Sequence, residues 1–276
     1  MMSTQVIAKQ RIEQFEIPRS TMFKSSVLSK TRVIQVSTLV VIIAVWQIVG
    51  ERVGSFILAP PTAVISAAYE STMSGEIWSA LSSSLYGILI GFAIAAVVGV
   101  TIGLLMGVSK NVATSLNPVV SAGYVIPEAA IIPLLIIWFG LGVTPRIISV
   151  VLFAVFEIIV ATFAGVKNID PMLPDVARSF GARRTEIFRK VILMAALPYV
   201  FAGLRMGAAR AVKGMIVAEL LFAATGVGGA IQLAANGYRT DKVMVFVIII
   251  TVIGVAFAGL VQVIERAHMR KWQQNY

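Results

Sequence analysis

Apolar positions along the chain fall into six long blocks separated by shorter polar segments. A helix needs about 20 apolar residues to cross roughly 30 Å of hydrocarbon. The pattern therefore predicts an all-α polytopic membrane protein with spans near 33–50, 79–107, 112–139, 146–166, 195–222 and 243–264. The stretch Glu51–Ile77 is less apolar, and Pro60-Pro61-Thr62 within it marks the start of a short helix, since proline is tolerated in a first turn. The third block holds Pro118, Pro127 and Pro133. Each removes a backbone donor and crowds the preceding turn, so this span is expected to be kinked or broken. Broken backbone at membrane depth survives only inside protein or against a watery cavity.

Composition agrees with the pattern. Of 276 residues, 58% are hydrophobic and 13% are charged, about half the charged share of an ordinary soluble domain. The formal net charge of +10 would raise the question of nucleic acid in a soluble protein. Its placement argues for topology instead. Lys9, Arg11, Arg19, Lys24, Lys30 and Arg32 precede the first span. Lys167, Arg178, Arg183, Arg184, Arg189 and Lys190 share one central segment, and Arg266, Arg270 and Lys271 close the chain. Basic clusters flanking spans belong on the cytoplasmic side, which puts both termini and the central segment inside. The expected organisation is a cytoplasmic tail over 1–32, a membrane domain over 33–265 and a second cytoplasmic tail over 266–276.

Several functions lose support at this stage. The chain has no cysteine, so no thiolate metal site or disulfide frame is available. The single His268 sits in the basic tail, where a solvated residue is expected. Trp46, Trp78, Trp138 and Trp272 suit interface anchoring rather than base stacking. The first 32 residues lack the shape of a signal peptide. Gly226-Val-Gly-Gly229 has neither a strand before it nor a lysine after it, so it reads as a short turn before the last span. No phosphate-cradling Gly-x-x-x-x-Gly-Lys-Ser/Thr run occurs. Small residues at four-residue spacing, Gly87/Gly91, Gly99/Gly103/Gly107 and Gly203/Gly207, allow close helix packing and read as contacts within the chain.

The polar segment 167–192 cannot sit in lipid. Asp170 suits a helix N-cap, Pro171 the first helical position and Gly181 a C-terminal position with positive φ. A second short helix is expected over 182–190, running into the fifth span. The sequence Asp175-Val-Ala177-Arg-Ser-Phe-Gly181, with Val191-Ile-Leu193 nine residues on, resembles the EAA loop of binding-protein-dependent ABC transporter permeases. The departures are Asp175 for Glu, Val176 for the first Ala, and Met194 where Pro usually stands. Pro133-Leu-Leu-Ile-Ile-Trp-Phe-Gly140-Leu-Gly142, Ala195-Ala-Leu-Pro198, Ala202-Gly-Leu-Arg205, Ala218-Glu219 and Gly226-Val-Gly228 are similar to the branch containing nitrate, sulfonate, taurine and bicarbonate permeases.

That resemblance implies about six helices of the type I ABC importer architecture, a cytoplasmic coupling helix and residence in a bacterial inner membrane. It implies that Asp175, Ala177, Gly181 and Ala182 dock on a separate ATPase, which binds ATP and Mg, while this chain itself carries no cofactor. Arg178, Arg183 and Arg184 are then placed to meet acidic groups at the rim of the docking cleft. It further implies a binding protein at the outer face and a second permease copy or a related chain. The cargo expected is a small anion, with a neutral or cationic vitamin precursor as the alternative.

Arg205, Arg210, Lys213 and Glu219 lie within the fifth apolar block, and Glu128 and Glu157 lie within the third and fourth. A charge at the bilayer centre costs about 2.5–3.5 kcal/mol on insertion scales, so each is expected to face protein or water. Arg210 and Lys213 are about 60° apart on a helical wheel. Two readings stand at this point. Arg210 and Lys213 make a pathway attractive to an anion, or they pair with Glu128, Glu157 or Glu219 and hold helices together. An ion-gradient-driven secondary transporter is the competing class, although the capped polar segment has no role in it.

Overall fold

A computed structural model describes the backbone over residues 24–222 and 225–273, and the side chains over 32–222 and 225–269. Lys9, Arg11 and Arg19 lie outside the described residues, as do the side chains of Lys24, Lys30, Arg270, Lys271 and Trp272. The elements are α1 (Lys24–Val53), α2 (Pro61–Met73), α3 (Glu76–Val108), α4 (Lys110–Val125), α5 (Glu128–Phe139), α6 (Val143–Lys167), α7 (Met172–Ser179), α8 (Arg184–Glu186), a π-helical stretch Ile187–Ile192, α9 (Leu193–Phe222), α10 (Gly226–Asn236) and α11 (Thr240–Gln273). No strand occurs among the described residues.

Helices α1, α3, α6, α9 and α11 are long and apolar enough to cross a membrane, and the bent pair α4–α5 makes a sixth span if counted as one. The pair turns by 97° at Ile126, whose ψ of 130° leaves the helical region because the following Pro127 disfavours it. Pro118 and Pro133 stay inside helices, so one of the three prolines breaks the chain. Helix α2 starts with Pro61 in its first turn, as expected, and Pro60 as its N-cap.

The core is α6, held between α3 and α9. A methyl group added at Gly91, Gly99 or Gly103 of α3 would lie 2.6–2.8 Å from side-chain atoms of Val150, Ile158 and Thr162. These partners advance in step along both helices, so α3 and α6 run parallel. On the other side of α6, methyl groups at Gly203, Gly207 and Gly214 would lie 2.7–2.8 Å from Ala161, Ile158 and Phe153. There the order reverses, so α9 is antiparallel. Backbones at such separation gain dispersion contacts that lipid tails cannot supply.

Helix α1 begins at Lys24, ahead of the expected span at 33–50, and α11 continues past the expected span at 243–264 to Gln273. Lys and Arg are good helix formers that carry a helix beyond the hydrocarbon.

Candidate coupling surface and intramembrane charge network

The polar segment between α6 and α9 folds as a compact protrusion. The Met172 N–H donates to Asp170 Oδ1 at 2.8 Å, which leaves Pro171 as the N-cap, one position later than the spacing predicts. At the other end Gly181 has φ +78°. The Ala182 N–H donates to the Ala177 carbonyl at 3.1 Å and the Gly181 N–H to that of Arg178 at 2.9 Å, closing α7 as a left-handed glycine allows. The second helix starts two residues later than expected, at Arg184, and runs on through a π-helical stretch into α9. Helix α8 is a single turn fixed by the Arg183 N–H donating to Glu186 Oε2 at 3.0 Å, and the π-helical stretch joins it to α9.

Helix α7 presents an apolar face to the outside. Met172, Leu173 and Val176 are exposed, and Phe180 is 87% exposed. Between this face and α8 lies a groove of about 350 Å³ lined by Ala177, Phe180, Gly181, Ala182 and Val191. The structure thus brings Ala177, Gly181 and Ala182 together at one groove. Asp175 and Arg178 pair with each other at 2.8 Å, both well exposed, where such a pair adds little to stability. Arg183 and Arg184 are exposed.

The intramembrane charges divide into separate pairs. Arg210 of α9 reaches Glu157 of α6 at 2.8 Å and Glu128, the first residue of α5, at 3.8 Å. Arg205 meets Glu265 of α11 at 3.5 Å. Lys213 makes no ion pair among the described residues and lies on an apolar groove of about 570 Å³ between α9 and α11. Arg210 and Lys213 therefore do not share a partner.

Glu219 is fully buried and pairs with a residue outside the candidates read from the sequence. Its carboxylate accepts from the Gly228 N–H at 2.8 Å and lies 2.8 Å from the Ser84 hydroxyl. That hydroxyl accepts from the Val227 N–H at 2.9 Å. Arg146 Nη1 stands 3.6 Å away from the same carboxylate. Glu219 thus satisfies donors at the N-terminus of α10, where carboxylates are favoured. Gly226, with φ +91°, and Gly228 leave the space that the carboxylate occupies. What reads as a short turn from the sequence is the start of a helix.

Arg146 escapes sequence reasoning because it stands at the edge of the fourth apolar block, where a basic residue marks a boundary. The helix starts earlier, at Val143, which draws Arg146 inside to 6% exposure. Its Nε–H donates to the Gly142 carbonyl at 3.0 Å, and Nη1 donates to the hydroxyls of Thr225 at 3.1 Å and Ser83 at 3.3 Å.

The chain is thus a helical bundle with buried charge pairs, a bent helix pair and a capped amphipathic protrusion at one end. Comparison with known proteins gives its family. Residues 99–270 match the family described as binding-protein-dependent transport system inner membrane component. The chain is 35% identical over 238 residues to the aliphatic sulfonates transport permease protein SsuC of Bacillus subtilis, covering 86% of each. It is 31% identical to the taurine transport system permease protein TauC of Escherichia coli, covering 82% of this chain and 85% of that one. It is 32% identical to the riboflavin transport system permease protein RibX of Chloroflexus aurantiacus, covering 86% and 89%. The fold is similar to a chain of the MetNI methionine ABC transporter in an inward-facing conformation, with TM-score 0.62 and 19% identity over 72% of this chain and 98% of that one.

The chain belongs to the binding-protein-dependent transport system inner membrane component family. It is a multi-pass inner-membrane permease subunit of an ABC importer, and ATP hydrolysis resides in a separate protein.

Proposed function

We propose that this permease admits a small organic anion of the sulfonate class and is driven through the segment 170–192. The observation that carries the coupling part is the exposed apolar face Met172, Leu173, Val176 and Phe180, joined to α9 through the turn at Gly181, the single turn α8 and the π-helical stretch. An apolar face of that kind on a polar protrusion calls for a protein cover. Ala177, Gly181 and Ala182 keep the groove beside it shallow enough for close approach, while Asp175, Arg178, Arg183 and Arg184 form a charged rim. A partner ATPase that holds ATP and Mg would push this protrusion as a rigid body, and α9 would carry the motion into the bundle.

In this reading two permease copies, or this chain and a related one, enclose the pathway. Both termini face the cytoplasm, and a binding protein delivers the anion at the opposite face. The sulfonate and taurine names of the relatives support the cargo class. The riboflavin name of a further relative supports a second reading, a neutral or cationic vitamin precursor. The test is affinity purification from the native membrane. An ABC ATPase is expected to co-purify with the wild-type chain and to be lost with Phe180→Asp, while the permease remains monodisperse. Retention of the ATPase by Phe180→Asp would overturn the docking surface.

A further inference from the structure

A cavity of about 730 Å³ opens at the end of the bundle opposite to the coupling segment. Its walls come from the first turns of α3 and α6, the Thr225 linker and the start of α10. Helix α6 begins at this cavity and ends at the polar protrusion, and its 25 residues span about 37 Å. The cavity and the protrusion therefore lie on opposite sides of the hydrocarbon.

The lining combines one cation with a group of hydroxyls: Arg146 with Ser79, Ser82, Ser83, Tyr86 and Thr225. Two acids stand nearby, and both are already engaged. Glu76 also lines the cavity and is paired with Lys242 Nζ at 2.8 Å. Glu219 does not line it; the carboxylate is sealed behind Arg146 with no exposed surface and is shared with the Gly228 N–H and Ser84. An anion entering the cavity meets the guanidinium before the carboxylate. The Nε and Nη1 atoms of Arg146 are occupied by Gly142, Thr225 and Ser83, whereas Nη2 has no acceptor among the described residues. With Nε and Nη1 fixed in place, Nη2 is the guanidinium nitrogen left to donate to an oxygen of an oxyanion. The volume suits a small organic molecule.

We propose that this cavity is the permease's own anion site, in which Arg146 Nη2 and the surrounding hydroxyls contact the sulfonate group of the cargo after its release from the binding protein. This rests on the sulfonate-class reading given above. The site makes the permease selective in its own right: a sulfonate matches the charge and the hydroxyl donors, whereas a cation of equal size is repelled by Arg146.

The chain contains no cysteine, so a single introduced cysteine is the only thiol in this subunit, and labelling is read on this subunit after the complex is separated. Ser79→Cys permease, in the assembled complex in lipid nanodiscs, is treated with sulfonatoethyl methanethiosulfonate, which carries a sulfonate, and with its trimethylammonium counterpart. The anionic reagent is expected to react about tenfold faster than the cationic one, relative to their rates with a small thiol. Ethanesulfonate is expected to slow labelling, and dimethyl sulfone is not. In Arg146→Gln the preference is lost, and in Arg146→Lys it persists in weakened form, which separates loss of charge from loss of fold. Equal or cation-preferring labelling in a monodisperse Ser79→Cys complex would overturn the proposal, as would failure of ethanesulfonate to protect. Uptake of ethanesulfonate by proteoliposomes is measured separately. Absence of uptake beside anion-selective, protected labelling refutes the cargo class and leaves the site standing.

Discussion

The carboxylate of Glu219, near the end of α9, accepts a hydrogen bond from the Gly228 N–H of α10 at 2.8 Å. This bond ties the helix connected to the polar protrusion to the element that walls the cavity on the far side. Arg146 of α6 and Ser84 of α3 close around the same carboxylate, so four helices meet at one buried charge. Motion of α9 cannot leave the cavity wall unchanged while this junction holds.

The junction predicts a large effect from a small change. Glu219→Gln leaves Arg146 buried without its counter-charge, and breaking a buried pair from one side costs about 3 kcal/mol or more. Thermal unfolding in detergent should show a clear drop in midpoint for Glu219→Gln. A midpoint equal to that of the wild type would mean that the carboxylate does not hold the junction.

Gly226→Ala tests the same junction from the other partner. A methyl group there collides with the Glu219 carboxylate, and the backbone stands at φ +91°. The left-handed conformation alone costs an alanine about 1–2 kcal/mol. Gly181→Ala is the matched comparison, because its φ is +78° but nothing lies within 4 Å of the added methyl. Gly226→Ala should destabilise the fold more than Gly181→Ala does, by the same unfolding measurement.

Arg210 links α9 to both α6 and the broken helix α5 through Glu157 and Glu128. It is 39% exposed, so screening reduces the value of the pair. A double-mutant cycle on Arg210→Gln and Glu157→Gln should yield a coupling of about 1 kcal/mol, with the double variant less impaired than the sum of the singles. Strict additivity would show that the two charges act independently.

Close packing of α6 is the fourth point of attack. Gly99→Leu places a branched side chain where even a methyl group lies 2.8 Å from Ile158. Overpacking of this kind costs about 1–3 kcal/mol or more. Gly259→Leu has nothing within 4 Å of its first carbon and should be tolerated. Yield of monodisperse protein after solubilisation separates the two.

The span count and the polar protrusion are legible in the sequence because both are written locally. Apolar length sets the spans, and Asp170, Pro171 and Gly181 mark the ends of a short helix through backbone preferences that act within a few residues. The break at Pro127, rather than at Pro118 or Pro133, is not local. A proline within a membrane helix is tolerated when neighbouring helices re-satisfy the backbone. The Arg146–Glu219 junction is hidden for a related reason. Its members stand on α3, α6, α9 and α10, far apart in sequence, and the motifs at Ala218-Glu219 and Gly226-Val-Gly228 do not point to Arg146 or Ser84 as their partners. The sequence offered Glu128, Glu157 and Glu219 as equal partners for Arg210. Only the packing of α6 against α9 assigns Glu157 and Glu128 to Arg210 and Glu219 to Arg146.

The most direct measurement is uptake of radiolabelled ethanesulfonate into proteoliposomes in which the ATPase side of the complex faces the lumen and the binding protein is outside, with and without ATP in the lumen and matched for ion gradients. ATP-dependent accumulation is predicted for the wild-type complex, and none for Phe180→Asp, although Phe180→Asp should retain anion-selective labelling of the cavity. Accumulation driven by an ion gradient without ATP, undiminished in Phe180→Asp, would contradict coupling through the segment 170–192.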